Sequence, residues 1–514
     1  MAQAVDVDLL VVGGGIAGAG VALEAARRGV RVMLVEARDF AWGSSSRSSK
    51  LVHGGLRYLR EGAFGLTRES VRERGRLLQD APGLVEPQRF LMGHYDGRSP
   101  SRRTMAAGLA IYDAFAGVRT RAFHASAQAR ALAPGLREDG LLGASSYLDA
   151  RTDDARLVLR VLQEARRHGA RVVNRAEVRG LLRDDAGNVR GARVEGAGFS
   201  GTIDARCVVN ATGAWADSLR PGAPMLRPLR GSHLVFPWWR LPVAQSVSLL
   251  HPRDGRPVFA TPWEGTALVG TTDLDHRDPP DVEPAITAAE VRYLMEALHH
   301  AFPRLGLVAG DAICSFSGVR PVVDDRAAGG DPSKAPREHV VRDEQGLVTL
   351  TGGKLTTFRV NALDALRHAA PWLGRAASAF DYRVDDAIFE PQPTPDALLR
   401  LPHGLRTRLV ARHGADASAL VGEAAAADLE TIADTATPWA ELYWALRHEQ
   451  VHHLDDLLLR RTRLGLVMPA GAAAVLPRLE PVVREALGWS AGEWRDECAR
   501  YAGIVTQSYS LRPP

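Results

Sequence analysis

Residues 9–36 leave this chain little choice of fold. Leu9–Val12 is a short apolar run of the kind that makes a buried parallel strand, and "GGGIAGAG" follows at once. Gly13, Gly15 and Gly18 satisfy G-x-G-x-x-G, Ile16–Arg28 has helical spacing, and "VRVMLVE" is a second strand ending in Glu36. Gly13 permits the tight turn, Gly15 lets a pyrophosphate approach the backbone, and Gly18 allows helix and strand to pack closely. The helix start at Ile16 offers unpaired N–H groups to phosphates, and Glu36 is placed to accept hydrogen bonds from a ribose. The prediction is an α/β chain with a Rossmann-like dinucleotide-binding domain.

At 514 residues the chain is too long for a single core, so two or three domains are expected. From 226 to 350 the pattern changes to alternating strands, as in "PVFATPWEGTALVGTTD" with a turn at Glu264-Gly265. That change predicts an antiparallel sheet inserted between parts of the nucleotide fold. Residues 389–403 are proline-rich and read as a linker, and helical spacing continues from there to the end. A net charge of +4 is too slight to argue for nucleic acid. Cys207, Cys314 and Cys498 stand far apart, which excludes a CxxC pair and an iron–sulfur ligand set and points to a reducing compartment. The acidic start "MAQAVDVD" lacks a basic leader, and no window offers about 18 uninterrupted apolar residues. A cytosolic protein, at most resting on a membrane surface, is expected. "HEQVH", residues 448–452, fits the zinc pattern H-E-x-x-H, but a zinc protease needs a third ligand and another architecture, so no metal is predicted.

The glycine fingerprint serves FAD and NAD alike. "CVVNATGAWAD" adds a second apolar strand that runs into a glycine turn, and there is no second G-x-G-x-x-G, which together favour a flavin alone. The N-x-T match at Asn210 falls on a buried strand end and is read as accidental. Three further features each admit two readings. "GGKLTTFR" puts Lys354 and two glycines at a helix start, which suits the charge that develops on a reduced flavin but also suits an ordinary glycine-turned junction. Arg320 ends an apolar strand as a substrate cation or as an ion-pair partner of Asp324 or Asp325. His233, on an alternating strand, is a base or a core histidine.

The blocks "SSSRSSKLVHGGLRYL", "DARTDDARLVL", "VVNATGAWAD", "RGSHLVFP", "SGVRPVVDD" and "GGKLTTFRVNA" occur in an order that resembles the FAD-dependent glycerol-3-phosphate dehydrogenases over essentially the whole chain. Two positions depart from the pattern: Glu24 for an Asp, and Phe358 for a Tyr. The resemblance implies a glutathione-reductase-type FAD domain from residues 1–80, 145–225 and 340–375. It also implies a substrate domain from 81–144 and 226–339, and a helical domain from 390–514. The implied reaction takes hydride from C2 of sn-glycerol 3-phosphate to FAD, giving dihydroxyacetone phosphate, with electrons passed to a membrane quinone. Around the cofactor it places Gly13, Gly15, Ile16, Gly18, Glu36, Ser45, Ser49, Lys50, Leu51, Val178, Gly213, Gly353, Lys354, Leu355 and Thr356. Arg57, Tyr58 and Arg320 would hold the substrate phosphate, since guanidinium binds it bidentately. His233 would take the hydroxyl proton, with Lys354 near flavin and substrate. Expected partners are the quinone, a second copy of the chain, and the cytoplasmic face of the inner membrane. "SRRTMAAGLAIYDAFAGVRTR" is the candidate surface element, although a plain buried helix fits it equally. Rival readings are an oxygen-using glycerol-phosphate oxidase, an amino-acid or hydroxy-acid oxidase with one arginine for a carboxylate, and a non-enzymatic flavin-binding regulator.

Overall fold

The computed structural model describes residues 3–60, 62–97, 100–279, 281–323, 338–383, 386–391 and 395–511. Its first sheet runs in the order His339–Glu344, Leu347–Gly352, Gly201–Asn210, Gln3–Val12, Val32–Val35, Arg171–Val173. From Leu347–Gly352 to Arg171–Val173 every neighbouring pair is parallel. Parallel neighbours need crossover connections, and these cover both faces of the sheet. Leu9 and Val11 pack into a core with helices Ile16–Ala26, Asp154–Arg167 and Phe358–Ala369. Leu10 and Val12 pack on the opposite side with the hairpin Glu177–Arg183/Val189–Glu195. Two buried faces explain why residues 9–12 are apolar without alternation. Leu9, Leu10 and Val11 are fully buried, each contributing about 2 kcal/mol.

The second sheet runs Leu274–Asp275, Leu226–Pro237, Thr266–Gly270, Pro257–Trp263, Ser246–Leu250, Val85–Tyr95, Leu141–Thr152, Leu51–Val52, with Cys314–Val323 also paired to Leu226–Pro237. Its neighbours are antiparallel except where Ser246–Leu250 meets Val85–Tyr95. Glu264 and Gly265 carry φ of +45° and +76°, the doubly positive geometry that suits a two-residue hairpin. Leu234 and Phe236 face helix Ala288–Ala301, while Val235 faces the C-terminal helices. Val235, Trp263, Leu268, Cys314 and Phe316 thus share a core with Leu457–Leu459, Leu464 and Tyr501. This is the expected combination of nucleotide-binding α/β domain, antiparallel sheet and C-terminal helices. The helices extend the core of the second sheet instead of trailing behind a linker.

The boundary expected at residue 145 falls inside a strand. Leu141–Thr152 pairs along its length with Val85–Tyr95, and Leu51–Val52 pairs with Leu141–Thr152, so both lie in the second sheet. Side-chain alternation reports that a strand is half-buried but not which sheet it joins. "HEQVH" is likewise not one helical turn. Helix Trp439–His448 ends at its first histidine, and Gln450 has φ +52°. His448 turns to Glu423 at 3.0 Å, and the Glu449 carboxylate accepts from Arg156 at 2.6 and 2.8 Å.

Candidate functional site

A cavity of about 750 Å³ is walled by residues of both sheets. Gly13, Gly15, Ile16 and Glu36 line one end. Gly18 stays out of it, because its Cα sits so close to the preceding turn that a Cβ would stand 1.9 Å from the Gly13 carbonyl oxygen. The Glu36 carboxylate accepts from the Gly14 N–H at 2.7 Å and the Arg38 N–H at 2.8 Å, while burial raises its pKa. Asn210 shapes the next wall. Its amide donates to the Ala216 carbonyl at 2.8 Å and its Oδ1 accepts from the Thr212 hydroxyl at 2.7 Å, which presents Ala211–Gly213 to the cavity. Val178, Gly353, Leu355 and Thr356 line the cavity as well.

The serine-rich stretch is part of the wall. The Ser45 hydroxyl accepts from the Ile16 N–H at 3.0 Å, and Ser49 and Leu51 line the cavity. Lys50 does not. Its φ is +59°, and its fully buried ammonium turns away to the Ser46 carbonyl at 2.6 Å and both Asp154 oxygens at 2.8 Å. Burial, with Arg463 alongside, brings it down to about 7 despite Asp154. The loop is then clamped from the C-terminal side. Arg463 donates to the Ser46 carbonyl at 2.7 Å, and Arg461 grips Asp39 through two contacts of 2.8 Å, with Arg460 on the same carboxylate. These three arginines are fully buried and touch the back of the loop whose front lines the cavity.

At the other end stand Arg320, Tyr58 and Lys354. Arg320 is held by Asp273 Oδ1 at 2.9 Å and Thr271 Oγ1 at 3.1 Å. Lys354 Nζ lies 3.7 Å from the centroid of the Tyr58 ring, a cation–π contact. Asp324 and Asp325 lie outside the described residues, as does the Arg57 side chain. His233 is not in the wall. It is 1 % exposed, stacks on Phe316 at 4.7 Å, and reaches the cavity through Ser49 Oγ, 2.8 Å from its Nε2. Burial, followed by the charges of Arg320 and Lys50, holds its pKa well below the usual histidine range.

Among the wall residues not expected from sequence, His53 and Arg256 bear on the chemistry. His53 lies in the "KLVHGGLRY" block, and its backbone exchanges hydrogen bonds with Thr356 Oγ1 at 3.2 and 3.3 Å. It is the imidazole between the serines and Tyr58, which was a usable signal. Arg256 closes a hairpin turn, "DGRP", and reads as a surface arginine until strand register carries it to the cavity beside Arg320. Of the two departures, Glu24 is buried and bound by Arg359 at 3.1 Å and Arg27 at 3.2 Å. The Phe358 ring packs over Gly20 and needs no hydroxyl there.

The pieces fit a flavin dinucleotide. A glycine cradle and a helix start, its Ile16 N–H held by Ser45, face one acid-bearing end, and a cationic pocket closes the other. Residues 8–359 match the FAD-dependent oxidoreductase family, and residues 372–493 match the C-terminal domain of alpha-glycerophosphate oxidase. The aerobic glycerol-3-phosphate dehydrogenase of Staphylococcus saprophyticus is 33 % identical over 486 residues, spanning 88 % of this chain and 86 % of the relative. That of Staphylococcus aureus strain USA300 is 32 % identical over 483 residues, with the same coverage. Among solved structures, the Bacillus halodurans glycerol-3-phosphate dehydrogenase complexed with FAD superposes with a TM-score of 0.71 at 26 % identity, covering 98 % of this chain and 94 % of that one. The FAD-bound L-alpha-glycerophosphate oxidase of Mycoplasma pneumoniae gives 0.57 at 19 %, covering 71 % and 94 %, a likeness of fold alone.

Proposed function

Because the chain belongs to the FAD-dependent glycerol-3-phosphate dehydrogenase family, we propose that it oxidises sn-glycerol 3-phosphate to dihydroxyacetone phosphate and passes the electrons to a membrane quinone. FAD, the cofactor, supplies a two-electron acceptor when bound. The observation that carries the substrate reading is the group of Arg320, Lys354 and Tyr58 at one end of a cavity whose other end is built for a dinucleotide. Arg320 holds the phosphate, and Tyr58 and Lys354 orient the diol end, with Arg57 as a further cation in sequence. The proton of the C2 hydroxyl passes to an imidazole. The sequence reading gave that role to His233. A buried ring that lies behind Ser49 and outside the cavity wall is poorly placed to take it, so the base is His53, which lines the cavity, and His233 orients the Ser49 hydroxyl. Anaerobic addition of sn-glycerol 3-phosphate should bleach the yellow protein, whereas plain glycerol should not. Failure of the phosphate ester to bleach it would sink the reading.

Quinone reduction requires contact with a bilayer. Helix Arg102–Ala116 exposes Ala106, Ala107, Ile111 and Ala114, with exposed Arg102, Arg103 and Arg119 at its ends. Its single acid, Asp113, is buried and paired with Arg121 at 2.7 Å. Such a face can lie in an anionic interface. No helix among the described residues is long and apolar enough to cross a membrane. Cosedimentation with anionic but not neutral liposomes, abolished by Ile111→Glu, is the expected result; equal recovery from both would reject this contact. The match of residues 372–493 to an oxidase domain keeps oxygen as a second acceptor, and stoichiometric peroxide release during turnover would favour it.

A further inference from the structure

We infer that Arg256 is a second phosphate-binding guanidinium of the substrate site, paired with Arg320, and that the pair selects a phosphate ester over a carboxylate. This rests on the glycerol-3-phosphate reading above. Arg256 stands at the end of the turn that joins Ser246–Leu250 to Pro257–Trp263. Its carbonyl accepts from the His251 N–H at 2.9 Å and its N–H donates to Asp254 at 3.0 Å, so its backbone is pinned on both sides. Its side chain lines the cavity.

The placing of the two guanidiniums comes from one carboxylate. Asp273, 1 % exposed at its side chain, gives Oδ2 to Arg256 Nη2 at 3.2 Å and Oδ1 to Arg320 Nη1 at 2.9 Å. One oxygen per arginine keeps two like charges side by side that would otherwise separate. It also sets both guanidiniums at one edge of the cavity that each of them lines. Arg320 is fixed further by Thr271 and by Gly231, where a Cβ would stand 2.4 Å from Arg320 Nη2. A carboxylate has two oxygens in one plane and is satisfied by a single fork. A phosphate monoester presents three terminal oxygens and up to two negative charges, which suits two forks held at fixed spacing.

The test uses the FAD-loaded enzyme with two readouts: calorimetric binding of inorganic phosphate to the oxidised form, and anaerobic bleaching as a function of sn-glycerol 3-phosphate concentration. Arg256→Ala should weaken phosphate binding and raise the half-saturating substrate concentration by about ten- to a hundredfold, the range for a charge-assisted hydrogen bond. The limiting bleaching rate should fall far less, and Arg256→Lys should recover part of the affinity. Unchanged phosphate affinity in Arg256→Ala would overturn the inference. So would an equal fall in affinity and limiting rate with no rescue by Lys, the behaviour of a residue that merely props Arg320. If wild type binds phosphate, Arg256→Ala loses it, and glycerol 3-phosphate still fails to bleach the protein, the phosphate site stands and the substrate reading falls.

Discussion

Arg320 lies across Gly231, and a methyl group there would also stand 2.6 Å from Thr271 Oγ1. Gly231→Ala is therefore expected to displace the guanidinium while leaving the cofactor end untouched. The prediction is a loss in kcat/KM of about tenfold or more, the worth of a charge-assisted contact, with full flavin absorbance retained. Normal turnover in that variant would mean that Arg320 does not bind substrate in this position. A second prediction separates the two histidines. His53→Asn should abolish the acidic limb of the kcat/KM profile, whereas His233→Asn, which keeps a hydrogen-bonding partner for Ser49, should lower activity without moving that limb. A shift in the limb with His233→Asn alone would restore the base to that residue. Arg320 and Lys354 were legible because each sits in a block of distinctive residues. Arg256 was not, since it sits in a hairpin turn and only the fold brings Asp273 and the cavity against it. Lys50 was misplaced for a related reason: its left-handed backbone accompanies a side chain turned away from the cavity to Asp154, and nothing in the sequence announces the positive φ.

Among the elements, the segment 456–463 has a role that its sequence conceals. "DLLLRRTR" falls in the stretch expected to be helical from its spacing, yet Arg460, Arg461 and Arg463 are buried against Asp39, Asp153 and Asp154. Buried ion pairs are weak evidence for stability, but breaking one by removing a single partner costs about 3–5 kcal/mol, because a charge is left without compensation. Arg461→Met is accordingly expected to lower the thermal midpoint and to weaken FAD binding, although the side chain does not line the cavity. Asp39→Asn combined with Arg461→Met removes both charges and should recover a good part of the loss. Differential scanning calorimetry with flavin release measured on the same samples checks this, and full FAD affinity in Arg461→Met would show that the clamp does not shape the loop. Part of the first sheet could be read from periodicity, since Leu9–Val12, Val32–Val35 and Cys207–Asn210 are short apolar runs. Leu347–Gly352, which falls at the end of the alternating pattern expected to be antiparallel, instead joins that sheet in parallel. The second could be recognised as antiparallel but not ordered, because its neighbours come from residues as distant as Leu51 and Arg151.

For the whole molecule, the consequence lies in acid. Burial would raise the pKa of Asp39, Asp455, Glu441 and Glu449, but Arg461 and Arg460, Arg460 and Arg500, Arg408 and Arg412, and Arg156 respectively hold them below their ordinary values. Glu497, against Arg500 and His453, is brought down to about 2. A carboxylate whose folded pKa lies below its unfolded value of about 4 contributes stability that is fully present above pH 4 and is lost as pH falls through the folded value. Asp39 and Glu449 join the loop after Val32–Val35 and the helix Asp154–Arg167 to the C-terminal segment, while Asp455, Glu441 and Glu497 tie that segment together, so protonating them should loosen all three parts together. The expected outcome is a single acid transition below about pH 4, in which far-ultraviolet ellipticity and the fluorescence of released FAD change with one midpoint. Because the pairs are buried, that midpoint should move little between low and high salt, whereas exposed pairs are screened. Two separated transitions, with flavin leaving well before the helices melt, would mean that the charge clamp and the cofactor loop are not energetically joined.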